Sequence, residues 1–400
     1  MADEHAAALA RLAGILRAEA TNGLFWGAAE DELARLRRIR RHAAALTAEV
    51  DHRPKAVIET IFEADEGLLT PAPATEFRIR CADGEPLVQR RRLRRSGESL
   101  GRRLADLAAA LETDAPIGVC GIADTDLAGL PCPQTFLLVY EAATPLTAAE
   151  ARRRLAPSDA DLHGHVEAVP PEASAIVRAA RPIPVSSAAG KIVEEVAGLS
   201  REGHAATMDV YERERHERIL ALCADTVAAD LVYSRIDCGE LAAAGLATGT
   251  DAAIFDDRDR LLLIRRTDTG QWAMPGGGVE VGETVGTAAV REAFEETGMD
   301  IALTGLLCAF DKRDLRLADS RLPMIMSFSA RATDPDRPVR LDALEASDCR
   351  WITRDEIGGI DFFEGHDHRV PAAFAAHEAD PPRSSADDVA APSAAARERP

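Results

Sequence analysis

The chain has 400 residues, more than one hydrophobic core usually spans, so two or three domains are expected. Its formal net charge of −20 excludes a protein that wraps nucleic acid through a global positive field; a polyphosphate ligand must be met locally, by metal ions and a few arginines. The first residues, Met-Ala-Asp-Glu-His, lack a basic leader and no apolar run reaches membrane-spanning length, so a cytoplasmic protein without membrane partners is expected.

Residues 1–190 read as an α/β domain. After Leu24-Phe25-Trp26, residues 30–50 carry an amphipathic helical pattern. Asp83-Gly84-Glu85-Pro86 marks a turn before the strand-like run Leu87-Val88-Gln89-Arg90-Arg91, and Gly97-Glu98-Ser99-Leu100 opens a helix over 101–112. A further strand is expected over 135–140. Residues 191–244 form a helical segment, in which Met208-Asp209-Val210-Tyr211 leads into an amphipathic helix ending near Val232. Residues 245–375 form a third unit. Residues 251–266 predict a strand hairpin turning at Asp256-Asp257-Arg258-Asp259, and residues 303–310 and 322–330 predict further strands. Trp351-Ile352 then opens the last turn toward a short terminal helix. Residues 376–400, rich in Ala, Ser, Pro, Asp and Arg without periodicity, read as a disordered tail. The seven cysteines, Cys81, Cys120, Cys132, Cys223, Cys238, Cys308 and Cys349, lack ligand spacing and are expected to be reduced thiols.

The densest signal is the run from Gly277 to Met299. It fits G-x5-E-x7-R-E-U-x-E-E-x-G-U, where U is apolar, through Gly277, Glu283, Arg291, Glu292, Ala293, Glu295, Glu296, Gly298 and Met299. Thr284 can cap a helix beginning near Val285, and Gly298 can end it. At about 100° per residue Glu292, Glu295 and Glu296 share one face, with Gly286, Val290, Ala293 and Phe294 roughly opposite. Carboxylates at i, i+3 and i+4 repel, and hard divalent cations with oxygen ligands neutralise them while bridging to phosphates. The preceding loop, Trp272-Ala273-Met274-Pro275-Gly276-Gly277-Gly278, allows the close backbone approach that such a site needs.

This spacing resembles the Nudix box, and the chain is identified on it as a Nudix hydrolase. The resemblance implies an α/β (α+β) fold class, with an α/β/α sandwich in the C-terminal half. By position, Glu292, Glu295 and Glu296 resemble the metal ligands, joined by the Gly277 carbonyl, and Glu283 and Arg291 resemble the pair bracing loop to helix. The implied cofactor is Mg2+, with Mn2+ as a substitute. The implied reaction is attack of water on the diphosphate bond of a nucleoside diphosphate joined to a group X, giving a nucleoside monophosphate and X-phosphate. The general base is either a box glutamate or Glu345, with Asp348 and Glu356 as further candidates. Asp311, Lys312, Arg313 and Arg369 are candidate substrate contacts, whereas His366 and His368 lack a third ligand and read as a loop pair.

The pattern Asp209-x-Tyr211-x-x-x-Arg215 and the following helix resemble the small helical N-terminal domain of bacterial ADP-ribose and CDP-choline pyrophosphatases. That points to an ADP-ribose or CDP-choline-like small-molecule nucleotide as substrate. A nucleoside triphosphate pool-cleaning activity and a non-catalytic nucleotide sensor are the alternatives, although sensors tend to lose box acids and this chain keeps them. The first half repeats the rhythm of the second, with Gly97-Glu98-Ser99-Leu100 matching Gly282-Glu283-Thr284-Val285. Asp106, Leu107, Ala110 and Leu111 stand where the box has Arg291, Glu292, Glu295 and Glu296. Residues 1–190 therefore read as an inactive Nudix-like copy, and the assembly as either a homodimer or a pseudo-dimeric monomer.

Overall fold

The structure, a computed structural model, describes residues 2–115, 117–124, 135–159, 182–239, 241, 246–315, 317, 320–334 and 336–379. Cys132, the Gly245 boundary and residues 380–400 of the expected tail lie outside them. Helix α1 (Ala2–Trp26) turns at Gly27 into α2 (Glu30–Val50), whose Leu36, Ile39, Ala43, Leu46 and Val50 are buried at helical spacing while Arg37, Arg38 and Arg41 are exposed. After α3 (Lys55–Glu63) come β1 (Ala72–Arg80), β2 (Pro86–Arg92), α4 (Leu100–Ala110), β3 (Gly118–Asp124), β4 (Thr135–Ala143) and α5 (Ala148–Arg154). The middle of the chain forms β5 (Ile183–Val185), α6 (Ser187–Ala206), α7 (Val210–Ala224) and β6 (Thr226–Ala228). The helix expected to reach Val232 stops at Ala224, because Thr226, Val227 and Ala228 leave it to pair in parallel with β5.

The last unit holds β7 (Thr248–Phe255), β8 (Leu261–Arg266), β9 (Trp272–Ala273), β10 (Gly276–Gly278), α8 (Val285–Thr297), β11 (Ile301–Asp311), β12 (Met324–Ala332), β13 (Ala346–Ile352) and α9 (His366–Ala379). Helix α9 runs into the segment expected to be a tail as far as Ala379. Its sheet has the order β11-β12-β7-β8-β13, with β10 pairing β7 and β9 pairing β8.

The sheet of the first half has the order β2-β1-β4-β3. Taken from its other edge, it is wired like β11-β12-β7-β8: a parallel central pair flanked by antiparallel neighbours. The registers also correspond. Phe136 pairs with Asp124 and Pro73, as Met324 pairs with Asp311 and Thr248. A register shift falls between Val119 and Gly121 in the first sheet and between Leu306 and Cys308 in the second, at corresponding positions. One helix, α4 or α8, precedes the bulged strand in each half.

Of the three apolar cores among the described residues, two join distant parts of the chain. Leu9, Leu12, Leu16, Ile39, Leu46, Val196 and Ile219 bring α1, α2, α6 and α7 into one bundle. Phe77, Leu138 and Tyr140 of the first sheet share a second core with Val285, Met326 and Phe328 of the other. A polar joint adds direction. Arg313 pairs with buried Asp311 at 2.7 Å and donates to the carbonyls of Arg94 at 2.8 Å and Glu98 at 3.0 Å. Asp311 and Asp314 in turn accept the N–H groups of Leu100 and Gly101 at the start of α4. Removing Arg313 leaves the Asp311 carboxylate buried without its counter-charge. Arg313→Ala should therefore lower the unfolding free energy in urea by about 3–5 kcal/mol, and Arg313→Lys should restore only part because an ammonium lacks the planar fork. An Arg313→Ala loss below about 0.5 kcal/mol would contradict this.

Candidate active site

Helix α8 begins and ends where its local chemistry dictates. The Thr284 hydroxyl accepts from Thr287 N–H at 3.1 Å, the Thr287 hydroxyl accepts from Thr284 N–H at 2.9 Å, and Gly298 closes the helix in the left-handed region. The buried arc takes in Val285, Ala288, Ala289 and Ala293, but also Glu292 and Glu296, because α8 packs on β7 and the glycine loop. Phe294, expected on the apolar face, is instead 45% exposed and lies beneath the Arg337 guanidinium. The reason is geometric: residue 294 falls on the side of the helix away from β7, about 180° around the wheel from Val285.

The glycine loop meets the glutamates at contact distance. Glu296 accepts from Gly276 N–H at 2.8 Å. A Cβ on Gly277 would come within 2.6 Å of the Glu292 carboxylate, so only glycine leaves room there. Arg291 donates to Glu283 at 2.7 Å, to the Gly278 carbonyl at 3.0 Å, to Glu292 at 2.8 Å and to Glu295 at 2.9 Å. It is thus the brace between loop and helix. Glu295 stays half-exposed at the rim of the helix, on Arg291.

Glu345 arrives from another element. It ends the turn before β13, where its carbonyl accepts from Thr267 N–H at 3.0 Å, and the pairing of Ala346 with Arg266 brings that turn beside the end of β8. Carboxylate oxygens of Glu292, Glu296 and Glu345 then lie within 4.8 Å of one another. Burial, with a smaller contribution from Glu295 and Glu345, pushes the Glu292 carboxyl up to about 7. Burial, then neighbouring Glu292, raises Glu296 well above the carboxylate range, and burial, then Asp342, raises Glu345. Carboxylates whose pKa is raised by burial and by one another are suited to a hard divalent cation. The donor set is all oxygen, and the cramped approach of Gly277 keeps its backbone within reach.

The residues read as substrate contacts go elsewhere. Asp311 and Arg313 are committed to the joint with the first half. Lys312 is buried and donates to Glu364 at 2.7 Å and Ser320 at 3.1 Å. Arg369 is buried against Asp251 of β7 at 3.0 Å, and His366 beside it bonds the Phe363 carbonyl, while His368 is exposed. Asp348 and Glu356 are exposed; Glu356 bonds the Thr353 N–H, capping a short turn. Sequence reasoning missed Arg266, a cation whose field reaches Glu296 and Glu345 and whose guanidinium lies 4.3 Å over the Phe363 ring. Its signal was a charged residue at the end of an apolar strand.

Comparison with known proteins places the last unit in a family. Residues 245–373 match the model of the NUDIX domain. The nucleoside triphosphatase NudI of Enterobacter sp. (strain 638) is 32% identical over 100 residues, which are 24% of this chain and 70% of that protein. A putative ADP-ribose pyrophosphatase of Bacillus subtilis (strain 168) is 29% identical over 126 residues, 30% of this chain and 59% of the relative. A MutT-like protein of Streptomyces ambofaciens is 33% identical over 98 residues, 24% of this chain and 58% of its own length. The chain thus spans less than two thirds of the latter two proteins. The crystal structure of a UDP-X diphosphatase is similar with a TM-score of 0.39 at 22% identity, covering 47% of this chain and 93% of that one.

The raised carboxyls set a pH dependence. Their folded pKa lies above the unfolded value of about 4.3. The metal-free fold therefore has this stability in full at low pH and loses it as pH rises through about 7 for Glu292. A divalent ion competes with those protons, so Mg2+ should raise Tm more at pH 8 than at pH 5. Equal shifts at both pH values would contradict the assignment.

Proposed function

The chain belongs to the Nudix family, and on that premise we propose that it is a Mg2+-dependent pyrophosphohydrolase of nucleoside diphosphates linked to a group X. The observation that carries this reading is the cluster of Glu292, Glu296 and Glu345 against the glycine loop. The residues that would hold the metal are these three glutamates, with the Gly277 carbonyl as a further oxygen donor. When bound, Mg2+ supplies charge stabilisation at the phosphoryl oxygens and a more acidic water. Arg291 fixes the carboxylate of Glu292 and, through Glu283 and the Gly278 carbonyl, keeps loop and helix in register. Arg266, held by Asp268 at 2.7 Å and lying over the Phe363 ring, adds a weaker positive influence on Glu296 and Glu345. Glu345 and the half-exposed Glu295 remain the candidates for accepting the proton of the attacking water.

Within this reading, an ADP-ribose or CDP-choline-like substrate is favoured by the likeness to the putative ADP-ribose pyrophosphatase and by a helix hairpin, α6 and α7, ahead of the catalytic unit. A nucleoside triphosphate is the second reading, favoured by the likeness to the nucleoside triphosphatase. We also propose that residues 1–190 contain an inactive copy of the catalytic fold. The common strand wiring and the shared bulge support it. Leu107 and Leu111 pack in the core of that copy, where the box has acids. Incubating the protein with Mg2+ and a panel of ADP-ribose, CDP-choline, NADH, a nucleotide sugar and nucleoside triphosphates tests the reaction. One of the diphosphate-linked compounds should be hydrolysed to the nucleoside monophosphate, and Glu296→Gln should abolish it. Hydrolysis of triphosphates alone would select the second reading. Tight binding without turnover of any member would overturn both.

A further inference from the structure

The glycine loop is braced from within by Arg291, yet it is also held from outside. Gly282 has φ +103, and a Cβ there would come within 2.9 Å of the Ile15 side chain, so α1 lies directly against the loop. One turn further along α1 stands Glu19, a buried carboxylate. It accepts both Nε and Nη2 of Arg218, from α7, at 2.9 and 3.2 Å. The same Nη2 stands 3.6 Å from Oε1 of Glu280 in the loop. Glu280 donates its backbone N–H to Glu283 at 2.7 Å, and Glu283 is the carboxylate that grips Arg291. Ion pairs and one backbone hydrogen bond thus connect the first helix of the chain to the ligand Glu292.

We propose that Arg218 is a positioning residue for the metal-binding loop, aimed by Glu19 from the first helix of the chain. An arginine side chain left alone samples many rotamers; a bidentate carboxylate fixes the plane of its fork. With Nε and Nη2 seated on Glu19, the guanidinium can only turn its edge toward Glu280. There it offsets the repulsion between Glu280 and the nearby Glu283, two acids that the loop must hold close together. The catalytic unit therefore depends on two helices outside it, one from the start of the chain and one from the segment just before the unit. This rests on reading Glu292, Glu296 and Glu345 as a cation site. A purely structural role, in which the pair only ties α1 to α7, makes a different forecast.

Mn2+ alone, titrated into the full-length protein and followed by its free-ion EPR signal, separates the two roles. Arg218→Gln should weaken Mn2+ binding about tenfold, the loss expected when support behind a ligand is removed, and should lower Tm. In the Glu280→Gln background the same change should cost no further Mn2+ affinity. The charge swap Glu19→Arg with Arg218→Glu rebuilds the α1–α7 pair but sets a positive charge against buried Arg215, which lies 4.0 Å from Glu19, so it should recover part of the Tm loss. It should leave Mn2+ binding weak, because a carboxylate facing Glu280 repels it. Recovery of Mn2+ affinity together with Tm in the swap, or an Arg218→Gln affinity within about twofold of wild type, would overturn the proposal alone. Failure of the wild type to bind Mn2+ would overturn the cation-site reading and this proposal with it. Absence of nucleotide hydrolysis with intact Mn2+ binding would remove only the reaction.

Discussion

Bringing three carboxylates within one small volume, two of them buried, is the constraint around which the catalytic half is organised. Burial without a counter-charge pushes such groups to hold protons, at a cost that the fold must offset elsewhere. The Gly276 N–H serves Glu296 and Arg291 serves Glu292, but neither serves Glu345. The glycines follow from this: the loop must touch the carboxylates with backbone atoms alone. The cap at Thr284 and the left-handed stop at Gly298 also follow, because they fix which residues of α8 face that loop.

If the first half is an inactive copy, as we propose, the two halves compare the same wiring with and without that constraint. They share strand order, pairing sense and a bulge, yet α4 carries leucines where α8 carries acids. One charge position persists in altered form. Glu76 on β1 pairs with Val139 as Asp251 on β7 pairs with Ser327. Both are buried, the first neutralised by Arg78 and Arg90, the second by Arg369. The start of α4 receives Asp311 and Asp314 from the other half. On our reading, the first half has exchanged a binding surface for a joint.

Local signals were legible in the sequence and long-range ones were not. The limits of α8 followed from a threonine cap and a glycine, both within the helix's own few residues, and α2 was set by its apolar spacing. Glu345 was singled out only by resemblance. Its proximity to Glu292 and Glu296 depends on β13 pairing with β8, which no local pattern encodes. Arg313 looked like a phosphate contact because exposed arginines on loops do. Its partners are backbone carbonyls more than 200 residues earlier, and carbonyls leave no mark in a sequence. Phe294 was misjudged because α8 buries its acidic edge as well as its alanines, which shifts the exposed face by about a quarter of a turn.

The most direct measurement is a crystal structure of the full chain with Mn2+, with the metal located by its anomalous signal. The account predicts density bounded by Glu292, Glu296 and Glu345 next to the Gly277 carbonyl, and none at the corresponding face of α4 in the first half. Density held by Glu295 without Glu345, or a second site on α4, would contradict it.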